Sequence, residues 1–266
     1  MKVIVIGNGK VGRTIVEHIC QEGHEVVVID NNADSIERII SEFDVMGLCG
    51  NGANYDILKS AGAERADLVI AATSSDETNI LACLIAQKLG TKSTIARVRS
   101  MDYDNQVNIF KKDLGISMTL NPEKEAANEI CKIIDFPEAL RIDSFAEGDV
   151  DLVELYVPEH SDLVGQTLAS IGQKYQLKVL ICAVQRNDDV FIPSGNFTIQ
   201  AKDKIHITSS NKTDLKKFLE KSSIVEEKIK NIIIIGGGII SAYLANELVK
   251  SKYNVKIIEK NIKRCH

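Results

Sequence analysis

Through the first half of the chain, short runs rich in Val, Ile, Leu and Ala alternate with longer stretches whose apolar positions recur at helical spacing. The short runs fall at 2–6, 25–29, 45–48, 67–71, 93–98 and 117–119, and the helical patterns lie near 11–22, 33–42, 54–61, 76–89, 103–113 and 122–134. Strands that are apolar on both faces, joined by helices, are the mark of a parallel sheet covered on both sides. The pattern therefore predicts an α/β fold, a Rossmann-like doubly wound parallel sheet.

From residue 135 the rhythm shortens. Apolar runs at 153–157, 179–184, 190–193 and 204–208 are separated by the turn signals Asn187-Asp188-Asp189 and Pro193-Ser194-Gly195-Asn196. With helical patterns at 168–175 and 213–221, these predict a small α+β domain following the first. A charged, polar stretch then leads to residue 230, and the strand pattern returns at 231. The expected organisation is a nucleotide-binding domain over 1–134, the small domain over 135–221, a linker over 222–230, and the incomplete start of a second nucleotide-binding domain over 231–266.

That last expectation rests on a duplicated motif. Val3-Ile4-Val5-Ile6-Gly7-Asn8-Gly9-Lys10-Val11-Gly12 is followed by Val27-Val28-Ile29-Asp30. Later, Ile232-Ile233-Ile234-Ile235-Gly236-Gly237-Gly238-Ile239-Ile240-Ser241 is followed by Val255-Lys256-Ile257-Ile258-Glu259. In both copies the acid stands 23 positions after the first glycine, so strand, turn, helix and second strand have matching lengths. A lone Gly-x-Gly-x-x-Gly carries little information; one that follows a strand, opens a helix and precedes an acid at the end of the next strand is specific. The glycines allow a tight turn, close approach of the backbone to a pyrophosphate, and close packing of helix on strand. The helix amides then point at the phosphates, and the helix dipole adds about 0.3–1 kcal/mol.

Asp30 suits a ribose with both hydroxyls free and repels a 2′-phosphate, so NAD or NADH is favoured over NADP. ATP and ADP share the adenosine end and stay open as ligands. Ser74-Ser75-Asp76-Glu77 has Ser-x-x-Glu spacing, which predicts a helix capped by Ser74 and Glu77 and places Thr73 and Ser74 at the carboxyl end of the fourth strand. Both residues are candidates for ligand contact, with capping alone as the alternative for both. Arg97, ending the fifth strand, has two readings: a phosphate partner or a salt bridge at the sheet edge. Gly50-Asn51-Gly52 is either a turn near the adenine or a simple loop. In the second copy Ser241 replaces the third glycine and Glu259 reaches one methylene further than Asp30.

Composition narrows the class further. The chain has 266 residues, 44% hydrophobic and 26% charged, with a formal charge of −5 and no concentrated Lys/Arg run, which argues against nucleic-acid binding. The longest apolar run, 232–240, contains three glycines and falls short of the roughly 20 residues a bilayer crossing needs. With no signal-peptide pattern after Met1, the expectation is a cytoplasmic chain without membrane insertion. Six cysteines (Cys20, Cys49, Cys83, Cys131, Cys182, Cys265) and five histidines lack metal-ligand spacing, so buried reduced thiols and no metal are expected. A dehydrogenase needs an acid or base facing the nicotinamide, and His160, His206 and Tyr175 sit where packing or surface roles suit them better. Nucleotide binding without a catalytic group points to a sensor; a small NAD-dependent oxidoreductase is the alternative.

Three segments carry a resemblance: the first glycine motif, Ala72-Thr73-Ser74-Ser75-Asp76-Glu77-Thr78-Asn79, and Ile95-Ala96-Arg97-Val98-Arg99-Ser100. Leu163-Val164-Gly165-Gln166-Thr167-Leu168, Pro193-Ser194-Gly195 and Ala201-Lys202-Asp203 extend it through the small domain. Together they make the chain similar to the RCK/KTN family of potassium-transport regulators, and the repeated fingerprint points to its two-repeat, TrkA-type branch. The resemblance implies a non-enzymatic regulatory subunit at the inner face of the plasma membrane. It implies dimers, up to a tetrameric gating ring, beneath a membrane partner of the TrkH/TrkG type. It also implies nucleotide contacts at Gly7 to Val11, Asp30, Thr73, Ser74 and Arg97. Since members of that branch carry two full repeats, the chain is expected to be about the first half of its protein.

Overall fold

The computed structural model describes residues 1–101, 103, 107, 109, 111, 113–145, 150–209, 212–224 and 229–264. Much of the expected helix at 103–113, the middle of the 222–230 linker, Cys265 and His266 lie outside the described residues. The chain divides into two compact units, Met1–Glu125 and Ala126–His266.

The first unit is built on six parallel strands: β1 (Lys2–Ile6), β2 (Glu25–Asp30), β3 (Met46–Cys49), β4 (Leu68–Ala71), β5 (Ser93–Arg97) and β6 (Met118–Leu120). Their order in the sheet is β3-β2-β1-β4-β5-β6. Both faces of the central strands are buried, which explains why their sequences are uninterrupted apolar runs. Ile4, Ile6, Val27 and Ile29 pack to one side with Leu58, Val69 and Cys83. Val3, Val5, Val26 and Val28 pack to the other with Val16, Ile36 and Ile39. Each such side chain contributes about 1.5–3 kcal/mol on burial, so this two-faced layer is the main source of the unit's stability. The chain reverses its direction of winding between β1 and β4, and there a crevice opens at the carboxyl ends of the strands.

Strand positions agree with the sequence pattern to within a residue or two. The cap of the fourth helix, α4 (Asp76–Leu89), does not: it is Ser75, not Ser74, whose hydroxyl accepts from the Thr78 amide at 3.1 Å and donates to Glu77 at 2.8 Å. The Ser-x-x-Glu spacing therefore named the right turn and the wrong residue. The thiols also differ from expectation, since Cys49 is exposed at the end of β3 while Cys83 is buried.

In the second unit, β7 (Arg141–Phe145), β8 (Val150–Tyr156), β9 (Leu180–Arg186), β10 (Asp189–Phe191) and β11 (Lys204–Ser209) form an antiparallel sheet ordered β10-β9-β11-β8-β7. Val153, Leu155, Val184, Ile205 and Ile207 alternate onto its inner face against Leu215, Phe218 and Leu219. β7 has no counterpart in the sequence reading, because Arg141-Ile142-Asp143-Ser144-Phe145 has only two apolar residues and none fully buried.

Residues from 231 form a two-stranded parallel sheet, β12 (Asn231–Ile235) with β13 (Asn254–Ile258), and the helix Ile239–Lys250 between them. They dock within their own unit. Ile234, Tyr243, Leu244 and Leu248 bury against Ala127, Cys131 and Ile134 of the helix Pro122–Asp135. The Tyr253 hydroxyl donates to Asp135 at 2.9 Å, and Lys216 donates to the same carboxylate at 2.5 Å. No helix among the described residues is long and apolar enough to cross a membrane.

Candidate nucleotide site

The turn after β1 is shaped by three glycines with different surroundings. Gly7 has φ +94°, and a Cβ on it would stand 2.8 Å from the Thr73 amide nitrogen, so β4 can approach only because the side chain is absent. A Cβ on Gly12 would overlap the Gly7 carbonyl oxygen, whereas one on Gly9 would meet open space. Gly9 is thus the glycine of the turn that borders open space.

Gly9 is also the N-cap of the helix Lys10–Gln21, which has no side-chain cap and no acid in its first turn. The helices starting at Ala33, Tyr55 and Asp76 are by contrast capped by Asn32, Asn54 and Ser75. The first-turn amides of Lys10–Gln21 therefore have no side-chain acceptor at the cap, the arrangement that suits an anion.

At the end of β2 the Asp30 carboxylate is held on both oxygens: Oδ2 accepts from the Asn8 amide at 2.6 Å and Oδ1 from the Asn32 amide at 2.9 Å. The Asn8 side chain is tied away from the carboxylate, donating to Ser35 Oγ at 2.9 Å and the Ser35 carbonyl at 3.0 Å. Turn, acid and second helix are in this way one rigid assembly.

These elements enclose a cleft of about 390 Å³ lined by Gly7, Gly9, Asp30, Thr73, Ser74 and Arg97, within the range of small-molecule sites. Four of the residues singled out from the sequence do not line it: the Asn8 amide is used by Asp30, Lys10 is exposed, Val11 is half-buried and Gly12 is buried beneath the turn. Gly50, Asn51 and Gly52 also line the cleft.

Arg97 lines the cleft, and its guanidinium is paired with Glu123 at the start of Pro122–Asp135, which is the salt-bridge reading. Arg97 Nε and Glu123 Oε2 are buried without hydrogen-bond partners. The Ser74 carbonyl accepts from the Arg99 guanidinium. Glu77 is held below the usual carboxylate range by its own amide, then by the Ser75 and Tyr103 hydroxyls. Burial pushes the Cys83 thiol up to about 12.

Motif spacing assigns no role to Glu123 or to the buried Asn79 beneath Thr73, because they are linked to the site by contacts across 26 and 6 residues respectively.

In the second copy the turn is repeated. Gly236 has φ +103°, Gly238 caps the helix Ile239–Lys250 without a side-chain bond, and Ile239 and Ile240 are exposed at its start. Glu259 Oε2 accepts from the Gly237 amide at 2.5 Å and Oε1 from the Asn261 amide at 2.6 Å. The longer acid thus reproduces the clasp of Asp30 on Asn8 and Asn32.

Residues 3–122 match the TrkA-N domain family and residues 152–237 the TrkA-C domain family. Trk system potassium uptake proteins TrkA of Halomonas elongata (32% identical, 100% of this chain, 58% of theirs) and Archaeoglobus fulgidus (33%, 100%, 59%) align along the whole sequence. The chain belongs to the TrkA family. It spans about three fifths of the length of these curated TrkA relatives. Among solved structures, the GsuK RCK domain has a TM-score of 0.64 at 18% identity, over 98% of this chain and 55% of its own. The GsuK channel bound to NAD gives 0.63 at 17%, over 98% and 49%. The TrkA fold is accordingly that of RCK domains.

Proposed function

We propose that the chain is a nucleotide-sensing regulatory portion of a Trk-type potassium uptake system. The observation that carries this reading is the cleft at the sheet's switch point. Uncapped helix amides, a glycine open to the ligand and a doubly fixed carboxylate there match a phosphate, a pyrophosphate and a ribose in turn. NAD or NADH, or in its place ATP or ADP, binds at Gly7, Asn8, Gly9, Lys10, Val11, Gly12, Asp30, Thr73, Ser74 and Arg97. Gly236, Gly237, Gly238, Ile239, Ile240 and Glu259 form the matching half-site of a second domain that begins at 231. Two facts support the reading: the relatives are named as potassium uptake proteins, and GsuK, of the same fold, has been solved with NAD and with ADP.

The chain acts without catalysis, as a homo-oligomer at the inner face of the membrane. There it gates a TrkH/TrkG-type pore when the nucleotide favours one conformation over another. A full reversal of such an equilibrium needs about 5.5 kcal/mol of differential affinity, which tight binding by itself does not supply.

Calorimetric titration of NAD, NADH, ATP and ADP against the chain and its Asp30→Ala variant tests the binding. At least one nucleotide is expected to bind below about 1 mM and to weaken about tenfold or more in the variant. Absence of binding by all four would overturn the assignment of the cleft, and NADH turnover against a panel of small carbonyl substrates would overturn the regulatory reading. Potassium flux through the pore protein, measured with and without the bound nucleotide, tests the gating.

A further inference from the structure

Asn79 lies on the first turns of α4, wholly buried, and the cleft does not expose it. Its carboxamide uses its full hydrogen-bonding capacity. Oδ1 accepts from the Thr73 amide at 2.8 Å and from Thr73 Oγ1 at 2.7 Å; Nδ2 donates to the Arg97 carbonyl at 2.8 Å and to the Thr73 carbonyl at 3.3 Å. The orientation of the amide is fixed by chemistry, because reversing it would set NH2 against a backbone N–H and oxygen against a carbonyl.

Two consequences follow. One side chain fixes the end of β4 relative to the end of β5, and these ends carry the cleft residues Thr73 and Arg97. It also settles the polarity of Thr73. With its only proton taken by Asn79 Oδ1 at 2.7 Å, the Ser75 carbonyl standing as a longer second acceptor at 3.2 Å, and with the Ser75 amide donating to Oγ1 at 3.2 Å, the hydroxyl has acceptor capacity alone to offer a ligand.

We propose that Asn79 is a positioning residue of the cleft, holding Thr73 and Arg97 in register and setting Thr73 as an acceptor for a ligand hydroxyl or N–H. This rests on the nucleotide reading above. Removing the carboxamide frees both strand ends, and groups that must be ordered at the moment of binding bind less tightly.

The test titrates ADP and NADH against the wild-type chain, Asn79→Ala, Thr73→Val, Thr73→Ser, and Ile39→Ala as a control for lost stability. Ile39 is fully buried toward the end of the helix Ala33–Glu42 and does not line the cleft. Asn79→Ala is expected to weaken the tighter nucleotide about tenfold or more, as loss of a supporting hydrogen bond does elsewhere, while Ile39→Ala stays within about twofold despite a comparable fall in Tm. Equal weakening by both would overturn the proposal. If Asn79→Ala does not fold, the threonine pair decides: Thr73→Val weakened about tenfold with Thr73→Ser near wild type supports it, and Thr73→Val binding like wild type overturns it. A wild-type chain that binds neither nucleotide overturns the nucleotide reading itself, and this inference with it, before any variant is compared.

Discussion

Gly9 and Gly12 stand three residues apart on one turn, and their missing side chains serve different ends. A methyl on Gly12 has nowhere to go but the Gly7 carbonyl; a methyl on Gly9 has room, at an ordinary φ of −73°. Gly12→Ala is therefore expected to cost about 1–3 kcal/mol or more of stability, as overpacking does. Gly9→Ala should leave stability unchanged or raise it by about 0.4–1 kcal/mol, since the unfolded chain loses freedom. Thermal unfolding read beside nucleotide titration separates the two, with Gly9→Ala the variant that folds and binds at least about tenfold more weakly. If Gly9→Ala bound normally, the ligand would not pass over that glycine.

At the scale of elements, the strand-turn-helix-strand unit occurs twice with its clasp built from different parts. Asp30 reaches the amide of Asn8; Glu259 reaches the amide of Gly237, where a Cβ would stand 3.0 Å from its own Oε2. The longer acid and the bare turn residue form a matched pair. Asp30→Glu by itself is expected to crowd Asn8 and weaken nucleotide binding, and adding Asn8→Gly to recover part of the loss. The coupling should amount to about 0.5–3 kcal/mol in a double-mutant cycle, and strictly additive effects would contradict the pairing.

These units were legible in the sequence because burial on both faces leaves apolar runs and because a phosphate turn requires glycine at fixed spacing. β7 was not legible, being half-buried and mostly polar. Nor was the Arg97–Glu123 pair, whose partners meet only once β5 and the following helix are in place. Ser75 displaced Ser74 as cap although only Ser74 has a Glu three residues on, because the backbone decides which hydroxyl meets the Thr78 amide.

Across the whole molecule, each unit has its own core, so damage to one need not reach the other. Leu248 is fully buried in the second unit against the helix Pro122–Asp135. Leu248→Ala is expected to lower the stability of that unit by about 2–5 kcal/mol while nucleotide affinity in the first stays within about twofold. Scanning calorimetry should then show one of two transitions moving; a single transition shifting as a whole would show that the units unfold together.

The β12–β13 pair bears on how the chain behaves in a tube. β1 is flanked by β2 and β4, whereas β12 is bonded to β13 alone among the described residues, with Ile233 and Ile235 63% and 85% exposed. An unpaired parallel edge carrying bare isoleucines is a template for stacking one molecule on the next. The net charge of −5 opposes this weakly and less so as salt rises. Colloidal stability, read by light scattering against concentration and salt, thus sets the ceiling on protein concentration for every titration.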